Sequence, residues 1–316
     1  VSFQFRPAKR ENVGLLIGLS GGTGSGKTMS AMRLANGICG DKPFAVIDTE
    51  AARSKHYADR FAFDHGDLTP PFTPDRYSEA IKAADDAGYQ AILVDSASLE
   101  WSGEGGVLDM QEDELYRMAR DDYKKRESCK MASWIKPKMS HKHMVQRLLQ
   151  VRAHLILCFR AEQKVDMIRG EGGRMEVVAK QGLTALNGWF PICEKNLPYE
   201  LTASFLLMAE HPGVPLPIKL EAQHRPFFPA DKPITEDSGA KLAAWAKGGE
   251  VPRTVDDDPT AIDRLTFAIN EAPTLDALKA ISEQVKALPK AKQELLRSAY
   301  TARWTALKAA REPGED

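Results

Sequence analysis

The eight residues Gly21-Gly22-Thr23-Gly24-Ser25-Gly26-Lys27-Thr28 follow the pattern GxxxxGK[ST], and they come directly after the apolar run Val13 to Leu19. No other feature constrains the fold as much. A loop of this kind must leave a buried strand and open a helix, so that backbone N–H groups and the helix N-terminus converge on phosphate. Met29 to Leu34 continues in helical style. The glycines permit positive φ and a close approach of backbone to a β-phosphate; Lys27 is placed for the β- and γ-phosphates and the Thr28 hydroxyl for Mg2+. The expected ligand is a nucleoside triphosphate with Mg2+.

The chain has 316 residues and a formal net charge of −1. That length allows one large core with a small second unit beside it. The near-zero charge says nothing about a polyanionic partner, so any nucleic-acid site has to come from local clustering. Cys39, Cys129, Cys158 and Cys193 are widely spaced without a CxxC pair, which predicts neither a zinc site nor a disulfide framework. No apolar run has the length of a membrane span, and Val1 to Asn12 lacks the apolar stretch of a signal peptide. A soluble, cytoplasmic protein with no membrane partner is expected.

Val13–Leu19, Phe44–Ile47, Ala91–Val94 and His154–Phe159 are continuous apolar runs separated by helical patterns. They predict parallel strands covered on both faces, and so an α/β fold with a mostly parallel central sheet. Glu200–Ala209 and Pro217–Ala222 flank His211 to Pro215 as a hairpin, and Ser238 to Ala246 reads as a closing helix. The predicted organisation is an ATPase-type domain over 1–247, a linker over 248–259, and a small helical module over 260–316. Its helices are Ala261–Ala272, Leu275–Leu288 and Lys290–Ala310, punctuated by Pro273 and Pro289.

Hydrolysis needs a metal ligand and a base. Asp95 ends the run Ala91-Ile92-Leu93-Val94-Asp95, as a Walker B carboxylate does; taken alone it is equally a helix cap. Glu50 ends Phe44-Ala45-Val46-Ile47-Asp48-Thr49-Glu50 and is either the base for water or a solvated acid at a helix start.

Taken together, the phosphate loop, Ile47-Asp48-Thr49-Glu50, Tyr57 and Leu93-Val94-Asp95-Ser96 resemble the ATPase core of RecA-like recombinases over roughly 14–228. Within that group the chain is most similar to phage-encoded RecA-like ATPases of the recombination and single-strand annealing type. The resemblance implies ATP as nucleotide, Glu50 as catalytic base, and Tyr57, seven residues on, stacked against adenine. Ser54 stands where such proteins carry an aspartate near the base. The resemblance also implies two mobile DNA-lining loops, which here hold the Gly-Glu-Gly-Gly tetrads 103–106 and 170–173. Arg160 at its strand end is either a γ-phosphate sensor or a solvated arginine.

Positive charge concentrates between Lys124 and Arg152: Lys124, Lys125, Arg126, Lys130, Lys136, Lys138, Lys142, Arg147 and Arg152 stand against Glu127 alone. With Trp134 available for stacking, these residues suit single-stranded DNA, and Arg169 and Arg174 in the second loop extend the set. The other reading is a solvated helix face with Trp134 in the core. Val1 to Phe5 alternates like an edge strand, which either adds to a neighbouring copy or packs on its own sheet. The expectation is a DNA-dependent ATPase acting as a ring or filament, with a single-strand-binding or other recombination protein docked on the C-terminal helices. A DNA motor (helicase or packaging ATPase) and a nucleotide-gated scaffold that loads replication proteins use the same core.

Overall fold

The uninterrupted apolar runs form the buried centre of a sheet. The computed structural model describes residues 13–169, 175–182, 186, 188–248, 261–286 and 290–309. Strand β1 (Leu16–Gly21) leads through the phosphate loop into helix α1 (Lys27–Cys39). Then come β2 (Phe44–Asp48), β3 (Phe63–Asp67), α2 (Pro74–Asp86) and β4 (Ala91–Asp95). Helices α3 (Ser98–Ser102), α4 (Val107–Ala119), α5 (Tyr123–Cys129) and α6 (Ile135–Leu148) precede β5 (His154–Gln163). Strands β6 (Val165–Arg169), β7 (Met175–Ala179) and β8 (Trp189–Pro191) follow, then α7 (Leu197–Glu200), β9 (Ala203–Leu207), β10 (Leu216–Lys219) and α8 (Glu236–Ala246).

Among the described residues the main sheet runs β10-β9-β1-β5-β4-β2-β3, with β8 on the extension of β5. From β9 to β3 every pairing is parallel; β10 and β8 are antiparallel. On one face Ile47, Ile92, Val94, Leu155 and Leu157 meet Tyr77 and Ile81 of α2 and Met144 and Leu148 of α6. Their neighbours in sequence, such as Val46, Leu93 and Ile156, are also buried, and α1 packs along the same strands with α8 against it. Both faces are covered, as continuous rather than alternating apolarity requires.

The order places β5 between β1 and β4. The phosphate-loop strand and the Asp95 strand are thus one strand apart, and Arg160 of β5 lies level with Gly21. This strand order, with the GxxxxGK[ST] loop at the tip of β1, is the expected α/β P-loop architecture with a mostly parallel central sheet.

The chain divides into two compact units, 1–250 and 251–316. In the second, α9 (Ala261–Glu271), α10 (Leu275–Lys286) and α11 (Lys290–Ala309) enclose Leu265, Ile269, Ala272, Leu278 and Leu296. The Arg303 guanidinium donates to the Ala272 carbonyl at 2.7 Å, satisfying an acceptor just past the end of α9. The expected N-terminal strand, Arg174, the 170–173 tetrad and residues 249–259 of the linker lie outside the described residues.

Two elements differ from expectation. The segment expected to hold the second loop contains an antiparallel ribbon, β6 with β7, in which Arg169 faces Met175. The 103–106 tetrad is a packed turn, not a free loop: the Glu104 carbonyl accepts the Phe72 N–H at 2.7 Å, and a Cβ on Gly105 would collide with Pro71.

Candidate active site

The phosphate loop is shaped by two left-handed glycines, Gly24 at φ 77° and Gly26 at φ 80°, the latter capping α1. A side chain at Gly26 would also press on the Gly213 amide, 2.9 Å from the added carbon. That amide donates to the Ser25 carbonyl at 2.9 Å, so the β9–β10 connection props the loop from behind. Inside it, the Ser25 hydroxyl and the Lys27 ammonium both donate to the Gly22 carbonyl, at 2.8 and 2.9 Å. Trp189 packs beside Gly22.

Thr28 and Asp95 come together as the two motifs require: the hydroxyl donates to Asp95 Oδ2 at 2.6 Å. Asp95 is buried, and burial pushes its carboxyl above the usual range, with Glu50 and Asp48 pushing the same way; the Thr28 hydroxyl and Lys27 oppose them. With Arg160 and Arg53 committed to Glu50, the buried Asp95 carboxylate beside the Thr28 hydroxyl suits a divalent metal. The donor set fits Mg2+, which takes one or two protein oxygens and completes its shell with phosphate and water. No cluster of three or more His, Cys, Asp or Glu able to hold a metal by itself occurs among the described residues.

Glu50 stands just past the tip of β2, its side chain 17 % exposed and gripped on both oxygens. Arg160 donates to Oε1 through Nε at 2.9 Å and Nη2 at 2.7 Å, and Arg53 to Oε2 at 3.2 Å. The strand tips are tied together below it. The Thr49 hydroxyl donates to the Ser96 carbonyl at 2.9 Å and accepts the Ser96 N–H at 2.7 Å. The Tyr77 hydroxyl also donates to the Ser96 carbonyl at 2.9 Å, and the Arg160 N–H donates to Ser98 Oγ at 2.9 Å. Loop, candidate metal ligands, candidate base and arginine thus share one end of the sheet, held by buried hydroxyls that carry no motif signature.

No protein-family model and no curated protein matches this chain. Among solved structures it is similar to the KaiC-like protein PH0186 from the hyperthermophilic archaeon Pyrococcus horikoshii OT3. The identity is 15 %, over 63 % of this chain and 72 % of that one, with a TM-score of 0.32. The fold reading accordingly rests on the strand order and the loop placement.

The remaining expected residues are spread more widely. Tyr57 ends a short 3-10 helix, Arg53–Tyr57, half-buried on the β2 side of the site. In the basic segment, Arg126 pairs with Glu112, Lys136 with Glu114 at 3.1 Å, Arg147 with Asp75 at 2.8 Å and Arg152 with Asp85 at 3.2 Å. Those charges are largely neutralised at home. Lys124, Lys125, Lys130 and Lys142 are exposed and meet no described carboxylate. Lys138 lies over the Trp134 ring, 5.7 Å from its centroid. Trp134 itself stacks on Trp101 at 6.0 Å, and His141, edge-on to Trp101, is buried with Nδ1 2.9 Å from Glu100 Oε1. This face of Trp134 is occupied; the freely exposed aromatic here is Tyr123, 80 % accessible beside Lys124 and Lys125.

Proposed function

We propose that the chain is a Mg2+-dependent ATPase that binds single-stranded DNA and supports phage DNA recombination or strand annealing as a homo-oligomer, ring or filament. The observation that carries the ATPase reading is the 2.6 Å contact between Thr28 and Asp95, with Glu50 on the neighbouring strand tip. The loop amides and Lys27 bind the β- and γ-phosphates. Glu50 orients a water and takes its proton as the oxygen attacks the γ-phosphorus. Thr28 and Asp95 would hold Mg2+, which when bound would supply neutralisation of negative charge on the phosphates. For Glu50 to act, Arg160 must loosen its grip, and a γ-phosphate is the anion that would draw the guanidinium away. Tyr57 serves the adenine.

The DNA reading is supported by the unpaired lysines 124, 125, 130 and 142 with Tyr123 among them, joined by Arg169 on the β6–β7 ribbon. The oligomer reading is supported by the outer edge of β3, which pairs with no described strand and offers a ladder to a neighbour's N-terminal segment. The separate helical unit is the docking piece for a single-strand-binding or other recombination protein. That separateness also favours the scaffold reading, in which hydrolysis is weak and partner loading is lost on deleting 251–316.

Fluorescence anisotropy of a labelled oligonucleotide across a salt series tests the DNA contact. Replacing Lys124 and Lys125 with glutamine is expected to lower the slope of log K against log salt by about 1.4, as loss of two single-strand phosphate contacts requires. An unchanged slope places the contact elsewhere, and no binding to any oligonucleotide removes the recombination reading.

A further inference from the structure

β2 ends in Asp48, 2 % exposed. Its Oδ1 accepts the Glu50 N–H at 2.7 Å, and its Oδ2 accepts both the Ser54 N–H at 2.8 Å and the Ser54 hydroxyl. Burial alone would raise this carboxyl; the donors from Ser54 and Glu50 outweigh it and hold it below the usual range. The His65 ring of β3 also stands 3.5 Å from Oδ2, so the carboxylate is committed to its own loop and to the neighbouring strand.

Those bonds close a short loop with an unusual interior. Ala51 and Ala52 both have left-handed backbones, at φ 57° and 61°. In this region an L residue brings its Cβ against the following carbonyl oxygen, and two non-glycine residues in succession persist there only when the surroundings dictate it. The bonds from Asp48 to residues 50 and 54 bracket the pair and supply that constraint. Glu50 immediately precedes it and reaches across β4 to Arg160 of β5.

We propose that Asp48 is the positioning residue for Glu50: its carboxylate holds the Ala51–Ala52 turn in the left-handed conformation and thereby fixes where the Glu50 carboxylate stands relative to Asp95 and the phosphate loop. The inference rests on the reading of Glu50 as the base. No hydrogen bond among the described residues joins this turn to the loop that binds phosphate, and Tyr57 stands three residues beyond Ser54, so nucleotide affinity should change far less than turnover.

The test measures ATP affinity, kcat and melting temperature for the full chain, for Asp48→Asn, for Asp48→Asn combined with Ala51→Gly and Ala52→Gly, and for Glu50→Gln. Asparagine keeps the size of the side chain but presents N–H where a donor already stands. The expected result is an ATP Kd within about twofold of the parent with kcat lower by about tenfold or more, since misplacement of a reacting group by about 1 Å loses up to a hundredfold. Glycine enters the left-handed region unaided, so the triple variant should recover about threefold or more of the lost kcat. Ser54→Ala, which removes a single hydroxyl donor, should lower kcat less than Asp48→Asn at unchanged Kd; it gives the same reading if the asparagine variant does not fold. Parental kcat in Asp48→Asn and Ser54→Ala, with Glu50→Gln inactive, overturns the positioning role alone. A lower melting temperature without any kcat change does the same, because it marks Asp48 as purely structural. Parental turnover in Glu50→Gln overturns the base reading and this proposal with it.

Discussion

At the scale of single residues, the site opposes stability to function. Asp95 is a carboxylate buried near two others and raised by that burial. A neutral isostere should relieve the nucleotide-free protein, a trade seen where active sites concentrate like charge. Asp95→Asn is therefore expected to melt about 2–4 °C above the parent without ligand, equivalent to about 1 kcal/mol for a domain of this size. It should also lose the additional stabilisation that Mg2+ and ATP together confer on the parent. Differential scanning fluorimetry with and without both ligands reads this. A drop like that of a core truncation would mean that Asp95 serves the apo fold and not the metal.

The legibility of the sequence also divides at this scale. Lys27, Thr28, Asp95 and Glu50 are visible because each ends or follows a continuous apolar run, so position and chemistry coincide. Thr49, Ser96 and Ser98 are not, because a hydroxyl that ties one strand tip to the next leaves no trace in periodicity. Nor is the turn at Ala51 and Ala52 legible: two alanines suggest a helix, and only the acceptor at Asp48 makes them left-handed. Trp134 illustrates the reverse. Its basic neighbours suggest an exposed stacking residue, whereas Trp101, far away in sequence, occupies its ring.

At the scale of elements, the central strands can be read from composition and the marginal ones cannot. β3, Phe63-Asp-His-Gly-Asp, is too polar to announce a strand and forms one because β2 offers it a ladder at the sheet edge. The β6–β7 ribbon exposes Met167, Met175 and Val177, an apolar stripe within a segment whose glycines suggest a loop. The contact between α1 and α8 is likewise set by residues that carry no pattern. Gly37 lies against the backbone of Glu236, Gly239 lies against the Leu34 carbonyl, and Arg33 pairs with Glu236 at 2.9 Å. No side chain fits between these backbones. Gly37→Ala and Gly239→Ala should each destabilise the first unit by about 1–3 kcal/mol or more through overpacking, measured by urea titration. Because α1 begins at Lys27, both variants should also weaken ATP binding. A change below about 0.5 kcal/mol would mean that the helices part without penalty.

At the scale of the whole molecule, pH and modularity are the handles. His154, at the start of β5, is held down to about 4, first by burial and then by Lys247. In the unfolded chain the same ring titrates near ~6.5. As pH falls the unfolded state takes up the proton first, so stability is fully present above about 6.5 and is lost progressively towards 4. The loss approaches roughly 3 kcal/mol for a shift of this size. His224 is depressed by burial as well and adds to the loss in the same direction. Urea midpoints from pH 7.5 to 4.5 should fall accordingly and flatten in His154→Phe; an identical profile in that variant would assign the loss to other groups. The second unit has a core of its own around Leu265, Ile269 and Leu296. A chain ending at 250 should therefore keep its ATP affinity, and loss of affinity on truncation would show that the units depend on each other. Among the described residues no helix is long and apolar enough to cross a membrane.

The proposed function stands or falls on hydrolysis at the phosphate loop being coupled to single-stranded DNA. Steady-state phosphate release from ATP and Mg2+, with and without a single-stranded oligonucleotide, tests it most directly, in the parent and in Glu50→Gln. The prediction is turnover that rises several-fold with DNA and falls by about a hundredfold or more in the variant, the range for loss of a general base. Equal rates with and without DNA would contradict the coupling, and equal rates in the two proteins would contradict the site.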